Sequence, residues 1–448
     1  MHSLNVVGSD HLTKAALISH ARHIPARPAP TIQVLDAQVE KGTKFAFQCF
    51  LCFGVIVFVA PQYFIPGLAE IGIGKIVIFL ALFSYAKLAY SQGRLSFVKG
   101  SELKILASFL LFCLMSVSFS RWPGGSLQFF MEYVWKAGVV FFLAANLLTS
   151  GERARQLCWT FVIFTAVNSF MGLQNWRTGH MMGGATNRIE GGFAGLASNP
   201  NDLGLLLNMF LPFVWYAYRT ATMAVTRYAA LLIVASSAVT VVITFSRGAF
   251  LGLVVVAGIF TWKRAAGKRV WIIMLIAVLL PVILAVLPAG YSDRMLSIIH
   301  SDMDETGARG ERIELMEVAV KSMITDPLGI GLGMNIIAST DAGTGWHVIH
   351  NAYLQVGVEL GVLGFILYIL LIWRTYQGLT AIEQSPVRSV ADLAFAIRLS
   401  LIAYLVGGLF GAVAYNFYFF YPAGMAVALK SLVKRAPHLL CATKVEPL

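Results

Sequence analysis

The chain has 448 residues, 58% of them hydrophobic and 12% charged, with a formal charge of +12. A soluble domain carries about 25% charged residues, so this composition excludes an ordinary water-soluble fold and makes lipid the main solvent. The positive charge does not point to nucleic acid, because the basic residues lie between hydrophobic runs rather than on one soluble face.

Residues 1–43 are polar and Pro-containing, without the apolar core of a cleavable signal, and read as a cytoplasmic tail. Twelve runs then approach the roughly 17–25 apolar residues of a membrane span: 45–60, 76–90, 103–119, 129–148, 157–173, 203–218, 228–245, 249–262, 270–287, 353–373, 394–411 and 415–432. Lys and Arg follow the even-numbered runs, as in Arg94 and Lys99, Arg153 and Arg155, Arg219 and Arg227, Lys263 and Arg264, Arg374 and Arg388, and Lys434 and Arg435. Positive loops stay in the cytoplasm, so both termini are expected there. The cations left on the opposite, external face are Arg121, Arg177, Arg188, Arg247, Arg294, Arg309, Arg312 and Lys321.

The expected layout is an all-α integral membrane protein of about twelve transmembrane helices. It has a tail 1–43, spans one to nine across 44–287, a large external loop 288–352 holding helical structure, spans ten to twelve across 353–432, and a second tail 433–448. Within the loop, Ile313, Met316, Val320 and Met323 recur at helical spacing over 311–324, before Asp326-Pro327 stops the helix and Gly329, Gly331 and Gly333 supply a turn. Such an amphipathic helix suits the membrane surface, above a site.

Four features carry candidate chemistry. His350-Asn351 ends the large loop as the tenth span begins; the histidine suits proton abstraction near neutral pH, or the pair simply marks the helix entry with Asn351 as N-cap. Arg247 sits between two runs joined almost without a loop, where a guanidinium either meets an anion such as phosphate or snorkels to the interface. Arg309 and Arg312 are three apart and share one face at the start of the external helix. Asn199-Pro200-Asn201-Asp202 opens the sixth span, a helix cap that places amides at the same boundary. Asp302-Met303-Asp304 has the form of a metal-holding Asp-x-Asp, but its Ser, Asp and Gly-rich surroundings read as a solvated loop, and no metal site is expected.

Together these residues resemble the bacterial O-antigen ligase and polymerase family, integral membrane glycosyltransferases that act on undecaprenyl-diphosphate-linked glycans. His350, Asn351, Gly361 and Gly364 fit the ligase pattern of His, then Asn, Ser or Gln, nine residues, Gly, two residues, and Gly, Thr or Tyr; Arg247 and Leu251 fit Arg, three residues, Leu. The likeness covers about 191–373. It implies a GT-C-like architecture in the cell inner membrane with a periplasmic site. It further implies His350 as general base, Arg247, Arg312 and Arg309 on the donor diphosphate, and Asn351, Asn199 and Asn201 in support. The implied reaction is metal-independent and inverting, without a cofactor, transferring a glycan from undecaprenyl diphosphate to a lipid A-core acceptor; the partners are these two substrates and membrane lipids, with no nucleic acid. An O-antigen or exopolysaccharide polymerase ranks second, because none of Arg177, Arg188, Arg309 and Arg312 begins the Arg, ten residues, Gly repeat of one polymerase subgroup. A lipid-linked glycan transporter ranks third, since the chain shows no matching halves and its conspicuous charges lie at the rim rather than the midplane.

Overall fold

The computed structural model describes residues 37–63, 65, 67–68, 70–91, 98, 100–181, 188–189, 191, 196–264, 267 and 308–436. Most of the first tail, the ninth run, Arg294, the Asp302-Met303-Asp304 motif and the end of the second tail lie outside these residues. The helices are α1 (Ala37–Gly42), α2 (Lys44–Phe58), α3 (Ile73–Ser91), α4 (Ser101–Ser116), α5 (Pro123–Phe129), α6 (Trp135–Leu147), α7 (Gly151–Thr178), α8 (Pro200–Thr220), α9 (Ala224–Ile243) and α10 (Arg247–Arg264). After them come α11 (Ala308–Thr325), α12 (Asn335–Asp341), α13 (Ala352–Tyr376), α14 (Leu379–Ile382), α15 (Arg388–Gly407) and α16 (Phe417–Arg435).

Each expected apolar run within the described residues falls on a helix, and seven of the described helices or helix pairs are long and apolar enough to cross a membrane. The protein is an all-α membrane protein. α8 and α10, on the runs 203–218 and 249–262, are not among these seven, and for α8 its polar residues bear on this. It carries Asn201, Asp202, Asn208 and Pro212, yet it is buried along most of its length between α7, α9, α10 and α15. Polar groups are tolerated there because neighbouring helices, not lipid, surround them; Asn208 Nδ2 donates to the Ala249 carbonyl of α10 at 2.7 Å. The same approach needs Gly204, where an added Cβ would stand 2.3 Å from that of Ala249. Aromatic rings fill the centre, with Phe161 of α7 stacked on Phe210 of α8 at 4.6 Å and Tyr421 of α16 edge-on to Phe161.

At the end of the bundle away from the candidate site, buried Asp392 of α15 holds Arg219 of α8 and Arg264 of α10, each at 3.2 Å. The carboxylate ties together three helix ends, and unpairing a buried charge of this kind costs several kcal/mol, about 3–5.

The segment between α11 and α13 is seated on a break in α13. At Gly361 the backbone takes φ 62°, ψ −163°, so the helix is interrupted and loses part of its own hydrogen bonding. The glycine turn after α11 replaces those bonds: Ile330 N–H donates to the Val358 carbonyl and Gly331 N–H to the Glu359 carbonyl, both at 3.0 Å, while Val362 N–H donates to the Pro327 carbonyl at 3.1 Å. The motif glycine is therefore a backbone device. An added Cβ at Gly361 would lie 2.1 Å from the Pro327 oxygen, at a φ that L residues rarely adopt. Gly361→Ala is expected to destabilise the protein by at least roughly 1–3 kcal/mol, read as a lowered thermal midpoint of the detergent-solubilised protein; an unchanged midpoint would contradict this account of the turn.

The helix α11 forms where periodicity predicts it and stops at Asp326-Pro327, but its docked face coincides with the periodic residues only at Met323. Leu315 and Ala319 are buried, and Ala319, Val318 and Met323 share one apolar cluster with Ile330, Met334, Ile349 and, on α13, Val358, whereas Ile313 and Val320 are about half exposed. The helix thus has two apolar stripes, and the one that counts for docking includes small Ala319, which lets α11 lie close to α13. Arg121 fastens this assembly from another side, pairing with Asp341 of α12 and, at 3.7 Å, with Asp326, while its own N–H donates to the Ile330 carbonyl. One of the cations that break the positive-inside pattern is thereby accounted for structurally.

Candidate active site

The site forms where α7 and α9 end and α8, α10 and α13 begin, with the first turns of α11 within electrostatic reach of His350. Its first wall is the connection between α9 and α10. Thr244 and Ser246 are buried, and Phe245 between them sits at φ 55°, an outlier for a bulky residue. Trp176 of α7 stacks on Phe245 with centroids 6.2 Å apart and planes 26° from parallel, which holds the strained turn in place. The tight turn brings Arg247 to the first position of α10. A cation there opposes the helix dipole, but the pair of Arg247 and the α10 N-terminus makes one strongly anion-seeking corner.

The second wall is the start of α8. Asn199 caps the helix, its Oδ1 accepting from Asn201 N–H at 2.8 Å, and Pro200 occupies the first turn, where no N–H is needed. The cap turns the Asn201 side chain toward the strained turn, where its Oδ1 accepts from Ser246 Oγ at 2.7 Å and from Arg188 Nη2 at 3.0 Å. The expected Asn199 and Asn201 pair is thus present as a cap and a bridge, and the bridge reaches the residue before Arg247.

Arg188 had no role assigned from sequence, although it was among the cations that break the positive-inside pattern. That pattern was the available signal; its connection to Asn201 was not, because the contact depends on how two loops meet. The guanidinium is half-buried and also lies 3.5 Å from the Thr244 carbonyl.

His350 closes the site from α13. Its neighbour Asn351 is the buried N-cap of that helix, with Oδ1 accepting from Tyr353 and Leu354 N–H at 3.0 and 3.1 Å, so the structural reading of Asn351 is correct. The cap leaves His350 outside the helix and exposed on one side. Crowding by protein on its other sides, and then the positive charge of Arg312, hold the His350 pKa below the ordinary histidine value; His347 and Arg188 act in the same direction and Glu311 opposes them. Glu311 is itself engaged with His347 at 2.7 Å. Arg312, half-buried in the first turns of α11, is therefore within electrostatic reach of His350, as is Arg188 from the α8 side. Arg309 lies in the same helix, and its side chain falls outside the described residues.

A neutral imidazole beside several guanidiniums can take a proton while the cations receive an anion. Among the described residues, no group of three or more His, Cys, Asp or Glu is arranged to hold a metal ion. No curated protein matches the chain. Residues 230–369 match the model of the O-antigen ligase family, and this stretch contains Arg247, Arg312 and His350 together with the Gly361 break. Over residues 230–369, about a third of its length, this integral membrane protein is similar to the O-antigen ligase family.

Proposed function

We propose that the protein is an O-antigen ligase of the bacterial inner membrane, with both termini cytoplasmic and the His350 site periplasmic. It transfers a glycan from undecaprenyl diphosphate to a sugar hydroxyl of a lipid A-core acceptor. The observation that carries this reading is the convergence of His350, Arg312 and Arg188 in one electrostatic neighbourhood, although they come from three separate segments of the chain.

In this mechanism His350 takes the proton of the acceptor hydroxyl as its oxygen bonds to the anomeric carbon of the donor. The bond from that carbon to the phosphate oxygen breaks on the opposite face, which inverts the anomeric configuration. Undecaprenyl diphosphate leaves with the electron pair. Arg247, at the start of α10, and Arg312, in the first turns of α11, receive the developing charge, and the fork of each guanidinium matches phosphate oxygens. Arg188 adds a third cation and ties Asn201 to the turn that presents Arg247. The depressed pKa of His350 serves this chemistry by keeping the imidazole unprotonated, and so able to act as base, below the usual histidine range.

The ligase and polymerase readings separate by what accumulates when the gene is deleted. The ligase reading predicts long polysaccharide chains held on undecaprenyl diphosphate and lipopolysaccharide cores without them. Accumulation of single repeat units would instead identify a polymerase.

A further inference from the structure

A carboxylic acid inside a membrane helix is expensive unless something requires it. Glu359 is such a group. It is fully buried in α13, two residues before the Gly361 break, and the mechanism above does not use it. Its Oε1 accepts from the side-chain amide of Asn335, at the start of α12, and more distantly from Gln355 at 3.5 Å. Asn335 is buried too, and its own Oδ1 accepts from Ile349 N–H at 3.1 Å. Ile349 is the residue before His350.

The acid thus begins a chain of contacts that ends one peptide from the histidine. Asn335 can serve it because an amide offers a donor at one atom and an acceptor at the other, so a single side chain spans from Glu359 to the Ile349 backbone. The backbone of Glu359 takes part as well, since its carbonyl accepts from Gly331 N–H in the turn that leads into α12. The Glu359 Oε2 atom is buried toward the Tyr415 hydroxyl without a bond of ordinary geometry. An apolar residue at 359 would fill the space at less desolvation cost, but it would leave the Asn335 amide without its acceptor, and with it the tether that Asn335 makes to the 348–349 peptide would lose its anchor.

We infer that Glu359 and Asn335 are positioning residues for the transfer reaction, fixing the backbone at Ile349 so that the His350 imidazole is held at the mouth of the site. This rests on the assignment of His350 as base. It does not make Glu359 a proton donor or acceptor for substrate.

The test compares Glu359→Ala, Glu359→Gln, Asn335→Ala and His350→Ala in purified protein in nanodiscs, reading kcat, donor KM and the pH profile of transfer. Glu359→Ala and Asn335→Ala are expected to lower kcat about 10–100-fold with donor KM within about threefold of wild type. Their acid limb should move to higher pH, because a loosened His350 leaves its crowded position and the charges of Arg312, His347 and Arg188, with Glu311 a weaker opposing influence. Glu359→Gln keeps an oxygen for the Asn335 amide and should retain kcat within about threefold. The inference is overturned if Glu359→Ala and Asn335→Ala keep wild-type kcat, or lose it only in proportion to folded protein with the acid limb unmoved. If those two variants are normal while His350→Ala is inactive, the positioning role falls and the base stands; if His350→Ala is active, both fall.

Discussion

His350→Ala is expected to lower glycan transfer by about 10²–10⁴-fold, the range that a positioned general base supplies, while the protein remains in the membrane at its wild-type level. The two halves of this expectation have separate causes. The imidazole is exposed on one side and stands outside α13, whose first turn is capped by the neighbouring Asn351, so truncating it removes neither a cap nor a packed core group. Transfer, by contrast, needs a group that can accept the hydroxyl proton during attack. Quantitative membrane immunoblotting together with transfer of a labelled glycan measures both. Loss of the protein from the membrane would show His350 to be structural, and undiminished transfer would remove it as base. Asn351→Ala should behave in the opposite manner: it loses a helix cap worth about 1 kcal/mol and acts on stability before chemistry.

Arg312→Ala carries the next largest expected effect, a loss of about 10²–10³-fold in kcat from withdrawal of one charge from the leaving diphosphate. It has a second signature that a general loss of activity would lack. The folded-state pKa of His350 is depressed partly by Arg312, so removing that cation makes the imidazolium easier to form and raises the pKa toward the ordinary value. The base then titrates at higher pH. The acid limb of the rate profile should move upward, and the deficit relative to wild type should be greater at pH 6 than at pH 8. Arg247→Ala is expected to lower kcat comparably, because it withdraws the other guanidinium proposed to face the leaving diphosphate. Lysine at either position restores charge without the planar fork and should recover only part of the rate. An Arg312→Ala profile parallel to wild type would place that guanidinium elsewhere than beside the base.

The sequence makes the helices legible because a lipid-exposed helix must be apolar along its whole length. It marks the site through a few residues that lipid and the positive-inside pattern both disfavour. Arg247 and Arg312 stand out on that ground, with His350 beside them as a proton-accepting residue at a span entry, and so does Arg188, whose role emerges only from the meeting of its loop with Asn201. Other features depend on tertiary contact. The buried face of α11 includes Ala319, which a search for large apolar side chains passes over, while Ile313 and Val320 satisfy the same period on an exposed stripe. Gly361 is visible as part of a motif, but its motif spacing does not say that α13 breaks there, because the break exists only with the Pro327–Gly331 turn supplying its hydrogen bonds. Likewise, Glu359 resembles an isolated charge in an apolar run until Asn335, distant in the chain, is brought beside it.

Most of the account therefore reduces to one reaction at one place. The most direct measurement supplies purified protein in nanodiscs with a labelled glycan on undecaprenyl diphosphate and a lipid A-core acceptor, in the presence of a chelator, and determines the product and its anomeric configuration. The account predicts label on the lipid A-core with inverted configuration, dependent on His350 and requiring no divalent metal. Transfer only onto another lipid-linked glycan, retained configuration, or strict dependence on added metal would contradict it.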